Sequence, residues 1–360
     1  MKIAFYGSSL LSSYWNGAAT YYRGLLSDLA RRGHAITFYE PDAFDRQKHR
    51  DIEPPDWAEV RVYEATEEAC RAVIAEAARA DVVVKASGVG VFDDVLLEGV
   101  MAASRPEPIR LFWDVDAPAT LAELGANADH PLHRVMPSLD AVMTYGGGPP
   151  VVEAYERFGA RRCIPIYNAL DPTTHHPVPP EERFRAQVSF LGNRLPDREK
   201  RVEEFFLRAA RLAPRHRFLL GGNGWGDKRL PPNVDAIGHV GTIEHNAVNC
   251  SALAVLNVTR QSMADNGWSP PTRVFEATGA GACLVTDAWE GIEDFLEPGE
   301  EVLTAEDGAE VARHAAALDP DRAGAIGAAA RERVLAEHTY RQRAEQVEQV
   351  LSGALGAVAP

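Results

Sequence analysis

The chain has 360 residues, 46% of them hydrophobic and 25% charged, with a formal net charge of −15 at neutral pH. That length and apolar content suit a globular protein of two domains. The acidic balance excludes a nucleic-acid surface or an anionic membrane as the main partner, since both require a basic footprint. Cys70, Cys163, Cys250 and Cys283 lie far apart without CxxC spacing, which speaks against zinc and against a disulfide framework and suits free thiols in a reducing compartment.

The first six residues run straight into a strand-like segment without a signal peptide's longer apolar core, and no apolar run reaches membrane-spanning length, so a cytoplasmic protein is expected. A short strand over 2–6 is followed by a polar loop from Gly7 to Gly17, an amphipathic helix over 18–32 closed by Gly33, and a strand over 35–39. The alternation continues with helix 66–79, strand 81–86, helix 93–103, strand 109–113, helix 118–124, strand 139–144 and helix 149–158. Strands separated by helices imply a parallel sheet whose ligands sit at the carboxyl ends of the strands. That puts Asn16, Gly17, Ser87, Gly88, Asp114, Asp116 and Tyr145 to Gly148 on one rim.

Prolines crowd the segment from Cys163 to Pro180, which reads as a domain crossing. A second alternation follows, with strand 187–191, helix 198–212, strand 217–220, strand 234–237, helix 243–250 and strand 252–257. Next comes a loop that Gly267, Pro270 and Pro271 keep irregular, a short helix from Thr272 closed by Gly279 or Gly281, and a buried strand over 282–286. Helix 307–318 and one long terminal helix over about 323–353 complete the chain. The expected architecture is α/β: two Rossmann-like domains facing a central ligand cleft. The division is 1–165 and 166–335, with 336–360 a terminal helix.

The stretch around Thr272 carries the clearest chemistry. Pro271 suits the start of a helix, whose first N–H groups and dipole form a seat for phosphate. Arg273 adds a cation fit for bidentate phosphate contact, and Glu276, one turn on, can accept from a sugar diol. The plainer alternative is that Arg273 and Glu276 pair across a helix surface. Arg194, after strand 187–191, is the second candidate cation, while Arg198, Lys200 and Arg201 read mainly as a solvated face. The glycine-rich loop 221–226 lacks a Walker ending, and Trp225 within it is expected to pack beneath the loop rather than line the ligand site. Asp114-Val115-Asp116 has DxD spacing, but Pro118 argues that the strand stops there. Asp116 is therefore the candidate general base, Asp114 the alternative, and a helix-capping acid the third possibility. His175 and His176 are adjacent and have no spaced partner, so no metal site is expected.

Taken in order, several motifs resemble the GT-B-fold glycosyltransferases, specifically the CgeB-like (spore-maturation-type) branch. They are Asn16-Gly-Ala-Ala-Thr-Tyr-Tyr-Arg23, Phe112-Trp-Asp-Val-Asp-Ala-Pro118, Tyr145-Gly-Gly-Gly-Pro-Pro150, Gly192-Asn-Arg194, Gly222-Asn223-Gly-Trp225, Arg273-Val-Phe-Glu276 and Glu297-Pro-Gly-Glu-Glu301. The resemblance implies a nucleotide-diphosphate sugar as donor substrate, UDP- or dTDP-linked, with no other cofactor and no metal. It places Glu276 on the ribose and Arg194 near the diphosphate, and Gly222, Asn223, Thr272 and Arg273 are the further donor-binding candidates. His239 and Val240 would meet the base, Asn16 and Gly17 would approach across the cleft, and the last helix would pack back on the first domain. Many retaining relatives carry a further acid where this chain has Trp268. The nearest acid is Asp265, which is the third catalytic candidate. The alternatives are a nucleotide-sugar epimerase on the same scaffold and a non-catalytic glycan- or nucleotide-binding protein. Acceptor and oligomeric state are not legible.

Overall fold

The computed structural model describes residues 1–14, 16–103 and 108–356. The chain divides into two compact units, one formed by Met1–Tyr167 with the segment from Tyr340 onward, the other by Asn168–Thr339.

The first unit opens with β1 (Lys2–Tyr6), α1 (Ala18–Arg31), β2 (Ala35–Asp42), β3 (Ala58–Glu64) and α2 (Glu67–Glu76). It continues with β4 (Val82–Ala86), α3 (Asp93–Ala103), β5 (Ile109–Asp114), α4 (Ala117–Ala126), α5 (Pro131–Val135), β6 (Ala141–Thr144), α6 (Gly148–Arg157) and β7 (Cys163–Pro165). All seven strands are parallel, in the order β3-β2-β1-β4-β5-β6-β7. Side chains alternate across the pleat. Ala4, Tyr6 and Tyr39 join Val73 and Ile74 of α2 and Leu96 and Val100 of α3 in one cluster. Phe5 turns the other way, against Phe38, Trp113 and Tyr22 of α1.

The second unit holds β8 (Ala186–Leu191), then a helix that runs as α7 (Glu199–Val202), a π-helical turn (Glu203–Arg208) and α8 (Ala209–Leu212). After these come β9 (Phe218–Gly221), β10 (Val234–Gly238), α9 (His245–Ser251), β11 (Ala252–Asn257), α10 (Gln261–Asn266), α11 (Thr272–Gly279), β12 (Leu284–Asp287), β13 (Leu303–Ala305), α12 (Gly308–Ala317) and α13 (Pro320–Glu337). Its six strands are also parallel, in the order β10-β9-β8-β11-β12-β13. One face of the sheet buries Val188, Phe190, Phe218, Leu256 and Val285 against Phe206 and Ile326. Two parallel α/β sheets are as expected. No helix among the described residues is long and apolar enough to cross a membrane.

Three details differ from the sequence reading. The strands β3, β7 and β13 were not anticipated. Gln261–Asn266, expected as loop, is the helix α10. The long terminal helix is two, because His338 and Thr339 interrupt it between α13 and α14 (Tyr340–Gly356). Thr339 instead forms a parallel bridge with Leu170. Beyond the break, α14 lies on α1, where Gly24 leaves room for the Tyr340 ring: a Cβ there would come within 2.1 Å of it.

Candidate functional site

On the rim of the second unit, two loops after β8 and β9 are knitted together. The Asn223 amide donates to Asn193 Oδ1 at 2.9 Å, Arg194 N donates to the Asn223 carbonyl at 2.9 Å, and Trp225 Nε1 donates to the Gly192 carbonyl at 2.8 Å. Gly222 has φ of +123°, and a Cβ on it would meet the Gly192 carbonyl oxygen at 2.2 Å, so the loops approach closely only because this residue is glycine. Trp225 is buried, as expected of a side chain that packs beneath its loop.

The loop cations take roles other than those expected. Arg194 pairs with Glu199 and Asp227, each at 2.8 Å, and donates to the Gly224 carbonyl. Both pairings raise its pKa and hold the guanidinium against the loop. Arg201 binds the fully buried Asp287 at 2.5 Å. Arg198, read as surface, instead turns inward, donating from Nη2 to the Asn193 carbonyl at 2.7 Å while its buried Nε has no hydrogen-bond partner.

Opposite it stands Arg273 in the first turn of α11. Arg198 and Arg273 lie 5.7 and 6.0 Å from the centroid of the Phe190 ring, within the range of cation–π attraction. Among the described residues neither makes a salt bridge. Burial, then the neighbouring Arg273, push Arg198 down to about 10. Burial also lowers Arg273, with Glu276 opposing it. Both cations are half-buried and held below their ordinary pKa, chiefly by burial.

The start of α11 carries no side-chain cap: Pro271 occupies the N-cap in extended conformation, and Pro271, Thr272 and Arg273 are half-buried rather than sealed. Asn168, fully buried, fixes the approach by donating from Nδ2 to the Pro270 carbonyl at 3.0 Å. Glu276 lies one turn further, beside two histidines that sequence reasoning missed. One ligand atom each of His175, His245 and Glu276 fall within 4.8 Å of one another. Burial pushes the Glu276 carboxyl up, but His175, His245 and Arg273 more than offset this and hold it below its ordinary value. His245 is lowered by burial, with Glu276 opposing and Arg273 and His175 reinforcing. Glu276 thus has Arg273 and two imidazoles around it, and no Arg273–Glu276 salt bridge forms.

His239 is exposed just beyond β10. The Val240 side chain packs with Leu191, Leu219 and Val248, leaving only its backbone to meet a ligand.

In the first unit the DxD pair splits. Asp114 is fully buried at the end of β5 and accepts from Ser87 Oγ at 2.7 Å, the Asp116 amide at 3.0 Å, Thr120 Oγ1 at 3.0 Å and the Tyr155 hydroxyl. Burial holds its carboxyl above the usual range despite these bonds. Asp114 is therefore corrected from candidate base to structural hub. Asp116 takes the N-cap position of α4 without a side-chain capping bond and lines a cavity of about 300 Å³ with Lys85, Ser87, Leu97, Phe112 and Thr120. At the base of that cavity, buried Lys85 pairs with Asp93.

Asn16 is buried and committed to its own loop: its Nδ2 donates to the Ser9 and Ser12 carbonyls and its Oδ1 accepts from Ser8 Oγ. This corrects it to a loop anchor, whereas Gly17 stays exposed with nothing within 4 Å of a Cβ. Asp265 is exposed on α10 and accepts from Gln261 one turn back at 2.6 Å. Trp268 has φ of +40°, packs over Gly291 and donates from Nε1 to Asp294 at 2.8 Å. Asp265 is thus held in a helical surface pair, not re-registered into the position of Trp268.

Residues 198–349 match the sequence profile of a family described as glycosyl transferase-like. Sucrose-phosphate synthase from Thermosynechococcus elongatus superposes with a TM-score of 0.68 at 17% identity, over 99% of this chain and 100% of that one. Anabaena HepE, solved in complex with UDP-glucose, gives 0.67 at 14% identity over 98% and 100%. An alpha-glucosyltransferase solved with UDP and a 13-mer DNA gives 0.70 at 10% identity over 98% and 99%. No curated protein matches the chain in sequence. The chain has the two-sheet fold of the GT-B glycosyltransferases, and its residues 198–349 match a glycosyl transferase-like profile.

Proposed function

We propose that the protein transfers a sugar from a nucleoside-diphosphate donor to an acceptor, with the donor seated on the rim of the second unit. The observation that carries this reading is the Arg198–Arg273 pair, two inward cations with no salt bridge among the described residues and with one buried N–H donor unpartnered. A diphosphate supplies the missing charge, bound by these guanidiniums and the N-terminus of α11. Glu276 accepts from the ribose diol, and the backbone at His239–Val240 meets the base. Preorganised cations aimed at the leaving diphosphate stabilise the charge that develops as the glycosidic bond breaks, so transfer itself proceeds without a metal. UDP-glucose in the HepE structure supports a uridine donor, with dTDP the alternative, and the ordered motifs support a place in the CgeB-like branch.

In the first unit, Asp116 takes the proton of an acceptor hydroxyl held in its cavity, which leads to inversion by direct displacement. A second reading, a binding protein without turnover, is favoured by Trp268 standing where many relatives have an acid. The test is a thermal-shift screen against UDP, dTDP, GDP and ADP, because a ligand of the folded state raises the melting temperature. UDP or dTDP should stabilise the wild type and not the Arg198→Ala/Arg273→Ala double variant. Donor binding without nucleotide release against any acceptor would favour the second reading, and no stabilisation by any nucleotide would end the first.

A further inference from the structure

The histidines beside Glu276 have a chemistry of their own. His175 is 3% exposed, and its Nε2 is buried with no hydrogen-bond partner. Its Nδ1 lies 3.0 Å from Thr174 Oγ1, and that hydroxyl lies 3.2 Å from the Asp171 carbonyl. When the threonine proton goes to the Asp171 carbonyl, Oγ1 accepts from Nδ1–H and Nε2 carries the lone pair. A protonated Nε2 would be a donor beside a carboxylate, yet Nε2 makes no hydrogen bond to Glu276.

We propose that His175 Nε2, His245 and Glu276 form a binding site for a divalent transition metal such as zinc, with the fourth position open to water. Two imidazoles and one carboxylate form a known three-ligand zinc set, and a nitrogen-rich set favours such ions over magnesium or calcium. Bonds of about 2.0–2.1 Å place tetrahedral ligands roughly 3.3 Å apart. One ligand atom from each residue already lies within 4.8 Å of the others, so ion binding draws the three together, with His245 and Glu276 half-buried. Thr174 is the outer-shell partner that orients the His175 ring. Adjacency in sequence hid the site: His176 is exposed and faces the Pro177 carbonyl, while the second imidazole comes from α9.

Glu276 cannot hold the ion and a ribose diol together, so ion and donor exclude one another. That competition rests on the role given to Glu276 above; ion binding does not.

The test is zinc uptake by the full-length, tag-free protein in competition with a chromophoric chelator, together with the visible absorption of added cobalt. The wild type should bind one equivalent with a low-coordinate cobalt spectrum. His245→Gln and Glu276→Gln should each weaken binding at least about tenfold with unchanged circular dichroism and melting temperature, and His176→Gln should leave it unchanged. UDP should raise the apparent zinc dissociation constant. Equal uptake by wild type and a folded His245→Gln, or a cobalt spectrum of the hydrated ion, overturns the site. Zinc binding that UDP leaves unaltered, in a protein that binds UDP, overturns the competition alone. Failure of UDP to bind at all counts against the donor reading and leaves the metal result standing.

Discussion

Arg198 and Arg273 bring their guanidiniums to one side chain, lying 5.7 and 6.0 Å from the Phe190 ring, with no acid paired to either among the described residues. Their shared environment lowers both pKa values, so each is costly to the empty protein and useful only once an anion arrives. Replacing either with alanine should cost about 10- to 100-fold in nucleotide affinity, the range of a hydrogen bond to a charged group at about 1.5–3 kcal/mol. The melting temperature should hold or rise. Arg194→Ala, which removes only a loop brace, should change affinity far less. Calorimetric titration with UDP checks all three.

The split of the two aspartates predicts opposite phenotypes. Asp114→Asn must find new geometry for the bonds from Ser87, Thr120 and Tyr155, and a buried polar group left unsatisfied costs about 1–3 kcal/mol. Its urea midpoint should fall. Asp116→Asn should unfold within about 0.5 kcal/mol of wild type yet lose about 10²- to 10⁴-fold in turnover, the span of a general base. A destabilised but active Asp116→Asn would remove it from the chemistry.

Two glycines on either side of the start of α1 should behave differently. Gly24→Ala drives a methyl group into the ring of Tyr340 at 2.1 Å, an overpacking cost of about 1–3 kcal/mol. Gly17→Ala meets nothing within 4 Å at φ of −63° and should be neutral or stabilising by about 0.4–1 kcal/mol. Thermal melts of the two variants make the comparison.

Acid should loosen the loops of the second unit through Glu199. Its hydrogen bonds from Arg194 and Lys228 hold the carboxyl down at about 2, against an ordinary value of 4.5. A lowered acid stabilises the fold fully above the unfolded value and loses that contribution as pH falls from 4.5 toward 2. Urea midpoints measured across that window should fall less steeply in Glu199→Gln than in wild type.

The sheets were legible because their central strands are near-continuous apolar runs, as in Val82–Ala86 and Ala252–Asn257. Strand β3 escaped because an edge strand reading Ala-Glu-Val-Arg-Val-Tyr-Glu, mostly open to water, resembles a surface loop. The two three-residue strands carry too little pattern for any period. In the site, the Arg273–Glu276 spacing was visible because one helix carries both. The choice between Arg194 and Arg198 was not, since it depends on Glu199 and Asp227 drawing one away while the Asn193 carbonyl takes the other. His175 and His245 met only through the packing of α9, which no local spacing announces.

The interruption at His338 and Thr339 makes the first unit from two separate stretches of chain and the second from one. In topological terms the second unit is an inserted module. A polypeptide spanning 168–339 excises it with two cuts and keeps all its strands. A fragment stopping at Tyr167 would lack α14 and strip the covering from Gly24 and its neighbours on α1. Expression of the halves should therefore be asymmetric, with the inserted piece surviving alone and the leading piece needing its distant tail supplied in trans.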